Sequence, residues 1–416
     1  MVRLRIRYRC VALAFIVSQV LVGFWFFQPM DPAKQFLKRL FTEGGQTILH
    51  LRDQPTVTMY ATYGKDLCVR EGTLVKASSE GNCVCRPGWK GKRCGVPEIM
   101  QRTDWMQNPE LSKNIQLRKR PRRVILVSPF IHEYDIFEAN VNELVGLVDV
   151  FVIGETNYTV ASNNSLPILS KLKDGWLKDT QNRIIYVPVR ESDLKKRSFV
   201  QNLVQTGLRL VSDIRPDDLF ILTNGEEILR RDVVTFLKLF QGYPLPVKCQ
   251  FKHYMYGFYW SLPENSNLTK PEVCASSFQF LANAFEYQVS RLQEGSVLEE
   301  DLNFFTSHEQ PVVNWTIPEA GWRCHLCLSV ENIFQKLSSR SESPPKWLLP
   351  SSSYSSTSPF IQRLIKFGQD ENLEPIGVPV HNVAEEELPP YLNRNKEKFA
   401  HFFKNPYETA SIHNLV

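Results

Sequence analysis

Between Arg122 and Phe240, short apolar runs alternate with stretches of helical spacing, and this alternation constrains the fold more than any other feature. Val124-Ile-Leu-Val127, Val148-Asp-Val-Phe-Val-Ile153, Arg183-Ile-Ile-Tyr-Val187 and Asp218-Leu-Phe-Ile-Leu222 read as buried strands. Phe137–Leu147, Ser198–Leu210 and Asp232–Phe240 repeat apolar residues at the spacing of a helix. Strands alternating with helices at this spacing predict an α/β domain with a mostly parallel sheet and flanking helices. Ligands of such sheets gather beyond the carboxyl ends of strands. The turn after Leu222, Thr223-Asn-Gly-Glu-Glu227, is therefore the place to look for chemistry.

Farther along, residues 246–326 carry aromatic-rich runs such as Tyr254-Met-Tyr-Gly-Phe-Tyr-Trp260, whose content suits strands packed into a core. Ser338–Ser358 is rich in Ser and Pro and reads as a loop, while Phe360–Phe367 and Arg394–Phe403 read as helical. With 43% hydrophobic and 22% charged residues in 416, a sizeable core is expected and wholesale disorder is excluded. The net charge of +5 is too mild to signal nucleic-acid binding, and part of it sits in Arg3, Arg5, Arg7 and Arg9. The chain has no Walker-type glycine loop, zincin motif or serine nucleophile elbow.

Those four arginines precede an uncharged run, Cys10–Phe27. A helix of roughly 18 residues rises about 27 Å, near the thickness of an early secretory membrane. The bulky Gly-Phe-Trp-Phe-Phe27 end disfavours signal cleavage, so the expectation is an uncleaved type II anchor. It gives a cytoplasmic tail over 1–9, an anchor over 10–27, a stem over 28–65, a cysteine module over 66–98 and a main domain over 120–416. Glycosylation triplets at Asn157, Asn163, Asn267 and Asn314 all fall on the side expected to be luminal. So do eight cysteines: Cys68, Cys83, Cys85, Cys94, Cys249, Cys274, Cys324 and Cys327. An even luminal count fits disulfides. Four of them, Cys249, Cys274, Cys324 and Cys327, allow three pairings between which the spacing does not choose, with bridges linking the Cys324-x-x-Cys327 pair to Cys249 and Cys274 preferred over redox activity.

The run Cys83-Val-Cys85-Arg-Pro-Gly-Trp-Lys-Gly-Lys-Arg-Cys94 resembles the second half of an EGF-like domain, which implies Cys85–Cys94 and Cys68–Cys83 bridges. From Cys68 onward the chain resembles the β-1,4-mannosyl-glycoprotein 4-β-N-acetylglucosaminyltransferases, glycosyltransferase family 17. The resemblance rests on Cys94-Gly-Val-Pro97, Arg122-Arg-Val, His132-Glu-Tyr-Asp135, Glu155-x-Asn-Tyr-Thr159 and Arg215-Pro-Asp-Asp218. It continues in Tyr256-Gly-Phe-Tyr-Trp260, Ala320-Gly-Trp-x-Cys-x-x-Cys327 and Asn405-Pro-Tyr407. It implies a Golgi-resident type II enzyme of GT-A-like fold. Such an enzyme moves GlcNAc from UDP-GlcNAc to the β-linked core mannose of an N-glycan on a glycoprotein, with inversion.

Inverting transfer needs a carboxylate to take the acceptor proton and a cation, usually Mn²⁺ or Mg²⁺, to hold the departing diphosphate. Where the family reads Asp-Asp-Ala-Asp-Glu, this chain reads Thr223-Asn224-Gly225-Glu226-Glu227. The resemblance thus points to Glu226 and Glu227 as catalytic or metal-holding carboxylates, and to Asn224 and Arg323 as donor contacts, Arg323 standing where the family has His. Asn140 replaces an expected Arg, and Lys195-Lys-Arg-Ser-Phe-Val-Gln201 replaces an acidic helix. Residue by residue, blander readings stand beside these: Glu226 and Glu227 as a helix-capping pair, Asp217 and Asp218 as a turn, and Glu299-Glu-Asp301 as a solvated run. The altered motif also admits a catalytically silent relative that binds glycan or a partner transferase.

Overall fold

The computed structural model describes residues 48–129, 132–156, 167–189, 199–264, 269–285, 287–289, 315–338, 348, 354–380 and 387–408. The chain divides into two compact units, one of Met1–Thr47 with Lys171–Asn182 and one of Ile48–Ser170 with Arg183–Val416. In the first, the described part is the turn-rich stretch Lys171–Asn182, where the buried Gln181 amide donates to the carbonyls of Leu172 and Trp176, each at 2.7 Å.

The second unit is built on a ten-stranded sheet. Its strands are β1 (Val124–Pro129), β2 (Val150–Thr156), β3 (Ile184–Val189), β4 (Leu219–Leu222), β5 (Glu227–Leu229), β6 (Val247–Met255), β7 (Gly257–Ser261), β8 (Glu272–Ser277), β9 (Thr316–His325) and β10 (Val378–Pro379). The spatial order is β5-β9-β6-β8-β4-β1-β2-β3, with β7 paired to β6 and β10 to β7. The sheet is mixed. Parallel pairing joins β4 to β1, β1 to β2, β2 to β3 and β6 to β9. Antiparallel pairing joins β4–β8, β5–β9, β6–β7, β6–β8 and β7–β10.

This corrects the expected mostly parallel sheet. The βα alternation holds from β1 to β4, where helices return the chain to the same end. Beyond residue 240, β6, β7 and β8 follow one another with no α-helix among the described residues between them, and neighbours without a crossover run antiparallel. The expected membrane helix has no counterpart among the described residues. Among the described residues no helix is long and apolar enough to cross a membrane, and Cys10–Phe27 lies outside them. The triplets at Asn157, Asn163, Asn267 and Asn314, and the run Glu299–Asp301, also lie outside the described residues.

The helices that bear on the sheet and the site include α1 (Tyr134–Glu143), α2 (Phe199–Arg209), α3 (Arg231–Leu239), α4 (Phe278–Phe285), α5 (Val330–Ser338), α6 (Tyr354–Phe367) and α7 (Pro390–Arg394). Apolar residues of each are buried, in α7 Leu392 alone. On α2 these are Leu203, Val204 and Gly207, which join Val127, Val152, Val187 and Phe220 of the sheet. A second core sets Ile136 and Ala139 of α1 against Ile228, Tyr254, Phe258 and Trp322. A third gathers Met255, Tyr256, Ile333, Leu337, Ile361 and Leu364 under α5 and α6. The Tyr254–Trp260 run is thus core, as its composition suggests, with Phe258 fully buried. Arg394–Phe403, read as a helix, is instead turns with a 3-10 stretch at Ala400–Phe402. Its aromatic residues are spaced for packing on Phe258 rather than for a continuous helical face.

Four disulfides occur: Cys68–Cys83, Cys85–Cys94, Cys249–Cys274 and Cys324–Cys327. Of the three pairings left open among the last four cysteines, the structure has Cys249–Cys274 and Cys324–Cys327, not the cross-links preferred over redox activity. β6 and β8 are antiparallel neighbours, which places Cys249 beside Cys274.

Candidate functional site

β4 places the site. Leu-Phe-Ile-Leu222 is wholly buried between β1 and β8, and the chain leaves the sheet at Thr223, whose N–H still bonds Val127. Four residues later, at Glu227, it re-enters as β5, in register with β9, so that Glu227 lies directly opposite Arg323. Close approach there demands a glycine. A Cβ on Gly321 would come within 2.2 Å of the Ile228 carbonyl oxygen. On the far side of β9, its parallel pairing with β6 sets His253 level with Arg323 and Met255 level with His325. Neither Glu226 nor Glu227 caps a helix, because β5 stands between them and α3. Asp218 belongs to structure instead. It forms the turn with Arg215 and takes a two-pronged ion pair from the buried Arg123, at 2.9 and 2.5 Å.

Two charge clusters result. In the first, Glu227 is 3% exposed and accepts from the Asn224 N–H at 2.9 Å and the Asn224 side-chain amide at 3.2 Å. The Arg323 guanidinium bridges Glu227 at 3.5 Å and Glu272 at 2.7 Å. At 3.5 Å the Arg323 Nε contact with Glu227 is an ion pair without hydrogen-bond alignment, and that Nε–H is otherwise unpartnered. Burial pushes the Glu227 carboxyl up to about 7, against the pull of Arg323.

In the second cluster, the Lys336 ammonium lies between Glu226, at 2.6 Å, and Glu133, at 2.5 Å. The other Glu226 oxygen faces His325 Nδ1 at 3.2 Å. Burial works against the ionised Glu226, but Lys336 and His325 outweigh it and hold the carboxyl well below its ordinary range. His325 Nε2 is 3.0 Å from His253 Nδ1, and the two rings stack at 5.3 Å. One arrangement satisfies this chain of contacts: His253 Nδ1–H donates to His325 Nε2, and His325 Nδ1–H donates to Glu226. It leaves His253 Nε2 a buried, unpartnered acceptor. Burial and the neighbouring His325 push His253 down to about 3.

Local structure explains how Lys336 arrives there. The Cys324–Cys327 bridge closes the tight turn after β9, and Leu326 within it takes a left-handed φ of 50°. The Leu326 N–H points back at Glu226, and α5 then projects Lys336 over the same carboxylate. Glu133 is the residue before α1 and accepts the His132 N–H at 3.0 Å.

A divalent ion needs hard oxygens free to close to about 2.1–2.2 Å around it. The carboxylates here do not fit that need. Both oxygens of Glu226, and both of Glu227, already face protein donors, and an ammonium fills the gap between Glu226 and Glu133. Among the described residues no group of three His, Cys, Asp or Glu side chains converges as a metal site.

The structure therefore brings Asn224, Glu227 and Arg323 into one cluster and Glu226 into an adjoining one. Glu133, His253, Glu272, His325 and Lys336 complete them and were not singled out from the sequence. The motif His132-Glu-Tyr-Asp135 carries a signal for Glu133, whereas nothing local to Lys336 marks it. The expected Arg at position 140 is replaced by a fully buried Asn140, whose side-chain oxygen accepts the Leu229 N–H and ties α1 to β5.

Comparison with known proteins bears on this site. Residues 82–279 match the family described as glycosyltransferase family 17. The chain is 29% identical over 353 residues to a protein of Rattus norvegicus named β-1,4-mannosyl-glycoprotein 4-β-N-acetylglucosaminyltransferase. It is 28% identical over 354 residues to the Homo sapiens protein of the same name. Each match covers 78% of this chain and 62% of the relative, so the chain spans about three-fifths of the length of the curated relatives it matches.

Proposed function

We propose, from the premise that this chain is a member of glycosyltransferase family 17, that it transfers GlcNAc from UDP-GlcNAc to the β-linked core mannose of N-glycans. The observation that carries this reading is the Glu227–Arg323–Glu272 cluster with Asn224 at the carboxyl end of β4, where α/β sheets bind their ligands. In the displacement, the acceptor hydroxyl oxygen bonds to the sugar C1 as the C1–phosphate oxygen bond breaks. The acceptor proton passes to Glu227, and UDP leaves. Glu227 suits a general base because burial has raised it to about 7, whereas Glu226 is locked ionised by Lys336. Arg323 meets the diphosphate, a task its planar, always charged fork serves well. Asn224 orients the donor beside it. Four disulfides support an oxidising secretory compartment, which we take to be the Golgi lumen, with glycoproteins as acceptors.

The test is a calorimetric titration of UDP-GlcNAc followed by transfer to a free N-glycan. Binding and transfer are expected, and Glu227→Gln should lower kcat by roughly 10²–10⁴-fold while donor binding persists. Arg323→Ala should weaken donor binding. Folded protein that neither binds donor at millimolar concentration nor transfers would overturn the reading. The saturation of both carboxylates by protein partners favours a second reading, a silent relative that binds glycan. Glycan binding without donor binding would establish it.

A further inference from the structure

We propose that the Lys336 ammonium is a built-in cation that takes the place a divalent metal would need, so that this site works without one. The inference rests on the donor-site reading above, but its test does not.

Three observations carry it. First, Lys336 stands between two carboxylates, Glu226 and Glu133, that come from different parts of the sheet's carboxyl-end rim: the turn after β4 and the segment after β1. Two acidic side chains converging from separate elements are the arrangement by which proteins clasp a hard cation. Here the cation is covalently attached to the chain. Second, the ammonium is held rather than draped over the surface. Its side chain is 13% exposed, and α5 behind it is anchored by the buried Ile333 and Leu337. Third, the remaining Glu226 oxygen is turned towards His325, itself braced by His253, so no oxygen of that carboxylate is left for an incoming ion. Arg323 supplies a second fixed positive charge next door, between Glu227 and Glu272. Two positive side chains thus stand beside the two carboxylates that follow β4, where a cation was expected.

The consequence for specificity is chemical. A fixed ammonium offers charge and hydrogen bonds without the ligand geometry of a metal, so it favours a diphosphate leaving group that can be met by N–H donors. It also frees the activity from the supply of Mn²⁺ or Mg²⁺.

The experiment uses the full chain and MnCl₂ alone, with no donor or acceptor present, read by calorimetry and by thermal unfolding. Wild-type protein is expected to show no Mn²⁺ binding in the micromolar range and no metal-dependent rise in Tm. Lys336→Ala removes the ammonium shared by Glu133 and Glu226 and leaves the two carboxylates converging on an opened gap, a state that recruits a cation. It should bind Mn²⁺ at least about tenfold more tightly than wild type, and Mn²⁺ should raise its Tm. The gain should vanish in Lys336→Ala/Glu226→Gln. Lys336→Met, which keeps the apolar stem, provides the same test if the alanine variant does not fold. Micromolar Mn²⁺ binding by wild type that Glu226→Gln abolishes would overturn the proposal. So would variants of Lys336 that fold and gain no affinity. Neither outcome depends on whether the protein transfers GlcNAc. Activity unchanged by EDTA would extend the result to turnover.

Discussion

Glu155 sits at the end of β2, 2% exposed, accepting from the Ile168 N–H at 3.0 Å and the Tyr186 hydroxyl at 2.8 Å. Burial dominates these bonds and raises its carboxyl from 4.5 to about 7. The folded protein therefore holds a proton that the unfolded chain has lost once the pH exceeds 4.5, and stability falls as pH rises from there to about 7. At about 1.4 kcal/mol per unit, the cost above pH 7 is at most roughly 3.5 kcal/mol. Glu155→Gln should remove it. Chemical denaturation should show the variant more stable than wild type near pH 8, with the difference gone near pH 5; equal gaps at both would refute the assignment. Glu155 was visible in the sequence as part of a motif, but its protonation was not, because the hydroxyl that meets it comes from β3. The same holds for the candidate site. Glu226, Glu227, Asn224 and Arg323 were legible because they follow a strand or align with a motif. Lys336 lies 110 residues from Glu226 and 203 from Glu133, and no local pattern marks a partner at such range.

Elements were more legible than residues where the signal was local. β1 to β4 and the helices among them fall near their expected positions, since period and apolarity are properties of the segment itself. Strand direction is not such a property, so β6, β8 and β9 could be read as extended without revealing that they turn the sheet mixed. Packing of α2 on β2 shows the same division. Gly207 is a weak helix former, and the structure shows what it does: a Cβ there would lie 2.2 Å from Val152 Cγ1. Alanine at 207 gains about 1 kcal/mol of helix propensity. It must also force α2 off the sheet, an overpacking that costs about 1–3 kcal/mol. Gly207→Ala is therefore expected to lower Tm, and a rise would show that α2 can shift freely.

At the scale of the second unit, the small cysteine module is tied into the larger fold. Glu71 accepts from Thr235 at 2.7 Å and pairs with Arg231 at 3.4 Å, both on α3. Gly95 lies so close to Phe240 that a Cβ would sit 2.7 Å from its ring. Before the module, Leu49–His50 pairs with Val211–Ser212, and Leu51 enters the main core. Residues 48–65, read from sequence as part of a stem, thus contribute buried side chains, because a two-residue strand and one leucine leave too faint a pattern to detect. A secreted fragment starting at residue 99 should give markedly lower yield and Tm than one starting at 48; equal stability would show the module to be dispensable.

β9 has a consequence in time. It is inserted between β5 and β6, although its residues are made roughly 70 positions after β6 ends. At ~5–20 residues per second, synthesis leaves that slot empty for about 4–14 s. Throughout the interval β5 and β6 present unpaired backbone edges, the kind of surface that chaperones shield and that neighbouring nascent chains can invade. Arg323 and His325 arrive on the strand that closes the gap and Lys336 follows on α5, so a chain released before β9 lacks both the closed slot and its charge clusters.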